Sequence, residues 1–149
     1  MFEIPRVGMS ARAGYSGRPL VRKLGIKSGF TIAVVDAPDG YWKLLGPLPE
    51  GVAVRSIEDA DVEFDFIHVF AEDRATLASR LKGLRRRIVP AGMLWLSWPK
   101  KASGVATDLD GNGVREIGLA AGLVDTKVCA VDETWSGLKF VIRLKDRPA

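Results

Sequence analysis

The chain is poor in the side chains that disulfide and metal chemistry require. Its 149 residues include one cysteine, Cys129, and one histidine, His68. A single cysteine excludes an internal disulfide and a cysteine-based zinc site, and it is typical of a reducing compartment, so we expect a cytoplasmic protein. No stretch of about 18 uncharged apolar residues exists, which argues against a transmembrane helix. The first twenty residues carry three arginines and one glutamate and have no long apolar run, unlike a signal peptide.

The composition is that of a folded chain. Apolar residues make up 47% and charged residues 27%, which is too apolar for a disordered segment and ordinary for a globular domain. The length corresponds to one domain. Residues 1–14 are polar and irregular, and we expect them to form an N-terminal arm, with a single domain over residues 15–149.

Charge is distributed unevenly along the sequence. The net charge of +4 combines a basic start over residues 1–30, an acidic middle over 31–73 and a basic remainder over 74–149. These segments can neutralise each other across the fold or face water, or they can serve self-association or weak anion binding. We expect no nucleic-acid partner, because the net charge is small and the acidic middle opposes a phosphate backbone.

Short apolar runs bounded by turn residues predict a set of buried strands. The last two are joined by only five residues, 133–137, which is enough for a hairpin and too short for a parallel crossover. Too few residues separate the second strand from the third for a helical crossover. Either the second strand is an edge strand with an unusual connection, or its assignment is wrong. The predicted strands are Thr31–Ala37, Val52–Ile57, Phe64–Phe70, Met93–Trp98, Val124–Asp132 and Leu138–Leu144.

Helical patterns lie between these strands. A short helix is predicted around Leu20 and Leu24, and another within residues 39–47. Asp73 is placed to cap a third helix, whose apolar face continues through Leu77, Leu81, Leu84 and Ile88. A fourth begins near Val114 and ends at Gly122. Alternating strands and helices followed by a hairpin predict a three-layer α/β domain with a Rossmann-like, mostly parallel sheet.

The last two-thirds of the chain resembles a class I methyltransferase in outline. Arg85–Trp98 has the form of that family's passage from a helix through Pro-x-Gly to a strand, and Ala120–Val124 followed by a hairpin resembles the family's ending. The resemblance implies a methyltransferase-like fold. Those enzymes have an acidic, glycine-rich loop (Glu/Asp-x-Gly-x-Gly-x-Gly) after the first strand, whereas this chain has Asp36–Gly40, Asp-Ala-Pro-Asp-Gly. We therefore expect no cofactor.

A second resemblance covers most of the chain. The runs Gly14–Gly17, Trp98–Lys101 with Ser103–Val105, and Val128–Phe140 resemble a small bacterial family of unknown function. These runs are long and specific, but the resemblance implies no chemistry.

Polar and aromatic residues follow the predicted strands. Ligands of open α/β sheets bind outside the carboxyl ends of the parallel strands, so these residues form a candidate ligand-binding site. Lys100, Lys101 and Ser103 are suited to contact a phosphate or carboxylate, and Trp98 or Trp135 to stack on a flat group. The candidate site comprises Asp36, Asp39, Trp98, Lys100, Lys101, Ser103, Asp132 and Trp135.

Two further patterns are better explained by structural roles than by metal binding or catalysis. Asp108, Asp110, Asn112 and Gly113 match the first half of a calcium loop, but Leu119 stands where the bidentate glutamate belongs, so we interpret them as a turn that caps a helix. Cys129 and His68 both lie within apolar strands, where buried structural residues are the rule. We identify no catalytic and no metal-binding residue.

Three functional hypotheses follow. The first is a non-catalytic or degenerate domain that binds a small anionic ligand or a protein partner at the strand ends. The second is a divergent S-adenosylmethionine-dependent methyltransferase. The third is a structural or interaction module that forms a homodimer or larger homo-oligomer.

Overall fold

A computed structural model describes residues 19–148 of the chain. The predicted N-terminal arm, residues 1–14, and the Gly14–Gly17 run lie outside the described residues. Ten residues make α4 (Gly111–Ala120) the longest described helix, and none of the described helices combines the length and apolarity needed to cross a bilayer.

The described residues form a six-stranded sheet. Its spatial order is β2-β1-β3-β4-β6-β5, in which β1 to β4 are parallel and β6 is antiparallel to both of its neighbours. The predicted fold class is confirmed: this is a Rossmann-like α/β sheet that ends in an antiparallel hairpin. The strands are β1 Thr31–Val35, β2 Ala53–Val54, β3 Phe64–Phe70, β4 Ile88–Pro99, β5 Leu123–Ala130 and β6 Trp135–Ile142.

Helices cover the sheet on both faces and make three layers. The short helices α1 (Leu20–Lys23) and α2 (Tyr41–Leu45) pack on one face, here called the α1/α2 face. The helices α3 (Arg74–Leu81) and α4 pack on the other, the α3/α4 face. Successive side chains of a strand point to opposite faces, so the apolar residues of β3 contribute to both cores.

β2 is an edge strand of two residues, and an irregular segment rather than a helix connects it to β3. The guanidinium of Arg87 holds this segment by donating hydrogen bonds to the carbonyl oxygens of Ile57 (2.7 Å), Asp59 (2.7 Å) and Val62 (3.1 Å). Of the two sequence alternatives, the edge strand with an unusual connection is the one observed, and the strand is shorter than the predicted Val52–Ile57.

The predicted continuous helix from Asp73 to Ile88 is wrong in its second half. The Asp73 carboxylate accepts the Thr76 N–H at 2.7 Å and caps α3 as expected, but α3 ends at Leu81. Gly83 then adopts φ +77°, a left-handed conformation that breaks the helix and starts a separate 3-10 turn over Leu84–Arg87. Ile88 already belongs to β4. The leucine spacing persists through the break because both segments bury their apolar side chains on the α3/α4 face.

Glycine brings α4 into close contact with the hairpin. A methyl group at Gly118 would overlap the ring of Phe140 on β6, so α4 reaches this distance from the sheet only because residue 118 has no side chain. At the other end of α4, Asp110 accepts the Gly113 N–H at 2.8 Å. The interpretation of the Asp108–Gly113 pattern as a helix-capping turn is therefore confirmed.

Candidate functional site

The loop after β1 has an unusual backbone. Asp36 follows the last residue of β1 and has φ +59°, the one positive φ of a described residue other than glycine. Most side chains disfavour this left-handed conformation, which aspartate tolerates better than most. Gly40 has φ +82° and precedes α2. Aligned on Asp36, the methyltransferase-type pattern keeps its acidic residue and its second glycine, Gly40, whereas Pro38 stands in place of the first.

A cleft of about 370 Å³ opens at the carboxyl ends of β1 and β3. The Asp36 carboxylate lies at its edge and accepts a hydrogen bond of 2.9 Å from Arg80 Nε of α3, so β1 and α3 are joined by an ion pair there. Both side chains are about half exposed, and the pair is therefore worth little to stability. The cleft is lined by Asp36, Pro38, Phe70, Ala71, Glu72, Asp73, Thr76 and Trp135.

Aromatic rings form one wall of the cleft. Trp135 meets the Phe70 ring edge to face, with centroids 5.1 Å apart and planes at 87°. The Asp132 carboxylate fixes the backbone of this corner by accepting the N–H groups of Thr134 (2.8 Å) and Trp135 (2.7 Å). Asp132 therefore acts as a turn residue that positions Trp135, and it does not line the cleft.

Three carboxylates contribute negative charge to the cleft: Asp36, Glu72 and Asp73. The Thr76 N–H stabilises the ionised form of Asp73 and holds the pKa of that carboxyl below its usual value. The described lining contains no lysine or arginine, although Arg80 lies against Asp36. A cation is electrostatically favoured in such a cleft over an anion.

A buried polar chain lies beneath the aromatic wall. His68 stacks on Phe70, with centroids 4.2 Å apart. Its ring nitrogens form hydrogen bonds with the Tyr41 hydroxyl (3.0 Å from Nδ1) and the Ser97 hydroxyl (2.8 Å from Nε2). Burial lowers the pKa of His68 to about 3 and raises that of Tyr41. Both side chains are therefore neutral near pH 7 and hold the floor of the site in place.

The structure separates the eight predicted site residues into several groups. Asp36 and Trp135 line the cleft, Asp132 supports it, and Asp39 is exposed on the loop beside it. Trp98 is 8% exposed and packs in the α3/α4 core, away from the cleft lining.

Lys100, Lys101 and Ser103 form the neighbouring loop after β4. The Lys100 N–H bonds to the Thr134 carbonyl oxygen at 2.7 Å, and the Ser103 hydroxyl donates to the Lys100 carbonyl oxygen at 2.6 Å. None of the three lines the cleft. Cys129 and His68 have different hydrogen-bond partners: the Cys129 thiol donates to the Ala130 carbonyl oxygen, and His68 Nε2 pairs with the Ser97 hydroxyl.

Sequence reasoning missed Arg80 and Phe70 as parts of the site. Arg80 belongs to the polar side of a regular helix, and its approach to Asp36 depends on how α3 packs against β1. Phe70 stands at the end of a predicted strand, so the rule that placed the other residues at this edge could also have included it.

Comparison with known proteins identifies other proteins that share this fold. No family model matches the sequence, and no curated protein matches it. Solved structures share the architecture at low identity. A SAM-dependent methyltransferase from Aquifex aeolicus aligns at 18% identity over 83% of this chain and 88% of that one, with a TM-score of 0.55.

Two further structures agree. DhpI in complex with SAH aligns at 13% identity over 85% of this chain and 83% of that one, with a TM-score of 0.59. Fibrillarin from Aeropyrum pernix, with natively bound S-adenosyl-L-methionine, aligns at 12% identity over 82% and 73%, with a TM-score of 0.54. The chain therefore has a methyltransferase-like fold. At these identities the similarity establishes the fold and leaves the activity to be argued from the site.

Proposed function

We propose that this chain is a small-molecule-binding domain on a methyltransferase-like fold, and that its ligand is a cation with a flat ring. The observation that carries the proposal is the cleft at the ends of β1 and β3, which Asp36, Glu72 and Asp73 line together with the Phe70–Trp135 pair. Its volume of about 370 Å³ lies within the range of small-molecule sites. The sequence hypothesis had an anionic ligand, and the charge of the cleft lining favours the opposite sign.

S-adenosylmethionine is the first ligand to test, because solved proteins of this fold are described with it or with SAH. Its sulfonium is cationic and its adenine ring is flat, which suits the carboxylates and the Trp135 ring. The backbone after β1 is less suited to bind S-adenosylmethionine, because Pro38 has no N–H to donate and α2 is only five residues long. The fit therefore rests on side chains and on the one retained glycine, Gly40.

The residues of the chain would hold such a ligand in three ways. Trp135 and Phe70 would cover its ring and exclude water, and Glu72 would attract its positive charge. Arg80 would keep the Asp36 carboxylate oriented. S-adenosylmethionine supplies an electrophilic methyl group when bound. Among the described residues that line the cleft, only carboxylates are able to accept a proton near pH 7.

Isothermal titration with S-adenosylmethionine and with SAH tests the proposal. SAH lacks the sulfonium charge, so we expect it to bind more weakly. We expect Trp135→Ala and Glu72→Gln each to raise the Kd about tenfold. The controls are Trp42→Ala and Glu58→Gln, which alter an exposed tryptophan and an exposed carboxylate outside the cleft. Absence of heat with both compounds, or equal effects of site and control variants, would contradict the proposal.

Methyl transfer is a separate step beyond binding, and the fold of the solved neighbours favours testing it. Production of SAH in the presence of candidate acceptors measures it directly. Binding without turnover would support the non-catalytic hypothesis over the divergent enzyme. Self-association remains a prediction of its own, and sedimentation at several concentrations tests it.

A further inference from the structure

A second surface, separate from the cleft lining, lies on the β5–β6 hairpin. Lys127 on β5 and Lys139 on β6 are direct cross-strand partners, and both lie on the α1/α2 face. Lys127 Nζ donates to the Lys23 carbonyl oxygen at 3.1 Å, which holds its ammonium over the sheet. Lys27 is close enough for its charge to act on Lys139. We call Lys27, Lys127 and Lys139 the lysine face.

Like charges dominate this surface. Partial burial lowers the pKa of Lys139, and the positive charges of Lys127 and Lys27 lower it further. None of the three lysines forms an ion pair with a carboxylate in the described part of the chain. The nearby Asp125 pairs instead with Arg115 of α4, at 3.1 Å on the opposite side of the sheet.

The positive charges of this surface also act on the thiol of Cys129. Cys129 lies on β5, where burial raises its pKa and the positive charges of Lys23, Lys127 and Lys100 act in the opposite direction. Between residues 19 and 148, no carboxylate is among the groups that shift this pKa. Lys100 belongs to the loop that the sequence singled out for anion binding, so that loop adds its charge to the field around the lysine face.

Directly opposed like charges destabilise an antiparallel pair of strands. Between residues 19 and 148 no carboxylate offsets this cost at Lys127 and Lys139. Function and stability often conflict at binding sites. A group of lysines that lowers stability and has no carboxylate partner is therefore expected where an external anion binds.

The sheet order separates the two signs of charge. The acidic middle of the sequence lies in β1, β2, β3 and their connections, on one half of the sheet. Lys127 and Lys139 lie on the other half, in β5 and β6, with β4 between. The net charge of the chain is only +4, but a phosphate backbone would meet the local charge of the surface that it contacts.

We propose that the lysine face binds the phosphate backbone of a single-stranded nucleic acid. Lysine contacts phosphate as a point charge without reading the base, so the binding is not sequence-specific. Several separate ammonium groups across two strands suit successive phosphates of one strand better than one small anion. The lysine face is separate from the cleft, and the test of its binding does not depend on a ligand in the cleft.

Fluorescence anisotropy with a labelled oligouridylate over a series of salt concentrations tests this proposal. Each lysine that contacts a phosphate contributes about 0.7 to the slope of log K against log salt for a single strand. We expect Lys127→Gln with Lys139→Gln to lower the magnitude of that slope by about 1.4.

The matched control is Lys43→Gln with Lys82→Gln, which removes the same charge from exposed positions on α2 and after α3. The control should leave the slope unchanged, and so should Trp135→Ala in the cleft. Three results would overturn the proposal: no binding at low salt, equal effects of the two lysine pairs, or binding of pyrophosphate without binding of the strand.

Discussion

His68 Nε2 on β3 and Ser97 Oγ on β4 lie 2.8 Å apart, and both side chains are fully buried. With the Tyr41 hydroxyl on the other ring nitrogen, both polar atoms of the imidazole are satisfied inside an otherwise apolar core. Such a chain fixes the relative positions of β3, β4 and α2 directly beneath the Phe70–Trp135 wall.

Removal of one hydrogen-bond partner of His68 should lower the stability of the fold. Ser97→Ala leaves a buried ring nitrogen without its hydrogen bond, so we expect the free energy of unfolding to fall by about 1–3 kcal/mol. Urea denaturation measures this change. Ser79→Ala on the exposed side of α3 is the control and should change stability by less than about 0.5 kcal/mol. A loss at Ser97 as small as that at Ser79 would refute the role of the hydrogen bond.

His68 should also make stability depend on pH. Its pKa is about 3 in the folded chain and 6.5 as the ordinary value, so between these pH values the unfolded chain binds a proton that the folded chain does not. Stability is therefore lost as pH falls from about 6.5 toward 3, by up to about 1.4 kcal/mol per pH unit.

His68→Gln isolates this contribution, because the chain has one histidine. The difference in unfolding free energy between wild type and His68→Gln should narrow as pH falls through this window. Carboxylates titrate in both proteins and cancel in the difference. A difference that stays constant from pH 7 to pH 4 would show that His68 is protonated in the folded state with an ordinary pKa.

The sequence predicted the central strands and the hairpin well because their apolar runs are bounded by turn residues. β3 is the clearest case: Phe64–Phe70 was predicted and observed. The break at Gly83 was missed because the leucines on both sides of it face the same core, so the periodicity continues where the helix does not. Leucine spacing indicates burial on one face, and it does not show that the backbone is continuous.

The candidate site was predictable only in part. Asp36 and Trp135 follow strands, and the rule for parallel sheets brings strand ends together. The burial of Trp98 and the partnership of Arg80 with Asp36 depend on tertiary packing, which no local pattern encodes. The lysine face was hidden for the same reason, because Lys27 lies 100 residues before Lys127 in the sequence.

Arg87 should be essential to the connection between β2 and β3. Arg87→Lys keeps the charge but cannot reach the carbonyl oxygens of Ile57, Asp59 and Val62 together, so we expect a loss of about 2 kcal/mol. Hydrogen exchange should increase selectively over residues 55–63. Arg86→Lys, at the exposed neighbouring position, is the control. Unchanged exchange in Arg87→Lys would show that the segment is held by other contacts.

Gly118 and Gly111 should respond oppositely to alanine. Alanine is usually the better helix former by about 1 kcal/mol, and at Gly111 its methyl group would meet only ordinary contact with Trp98, at 3.8 Å. At Gly118 the methyl group would overlap the Phe140 ring, so overpacking should lower the unfolding free energy by about 1–3 kcal/mol. Gly118→Ala combined with Phe140→Leu should recover part of this loss. Equal Tm values for the two single variants would show that α4 can move away from β6 freely.

The position of β6 between β4 and β5 has a consequence for how the chain is made. β6 is the last of the six strands in chain order, yet it occupies an interior place in the sheet. When β1 to β5 have left the ribosome, β4 still has one unpaired edge, and β5 has no neighbour to pair with. A nascent chain at this stage exposes the Leu94 and Leu96 strand to other polypeptides. β6, which is synthesised after the other five strands, therefore closes the sheet, and the edge of β4 is protected from aggregation only after residues 135–142 have emerged.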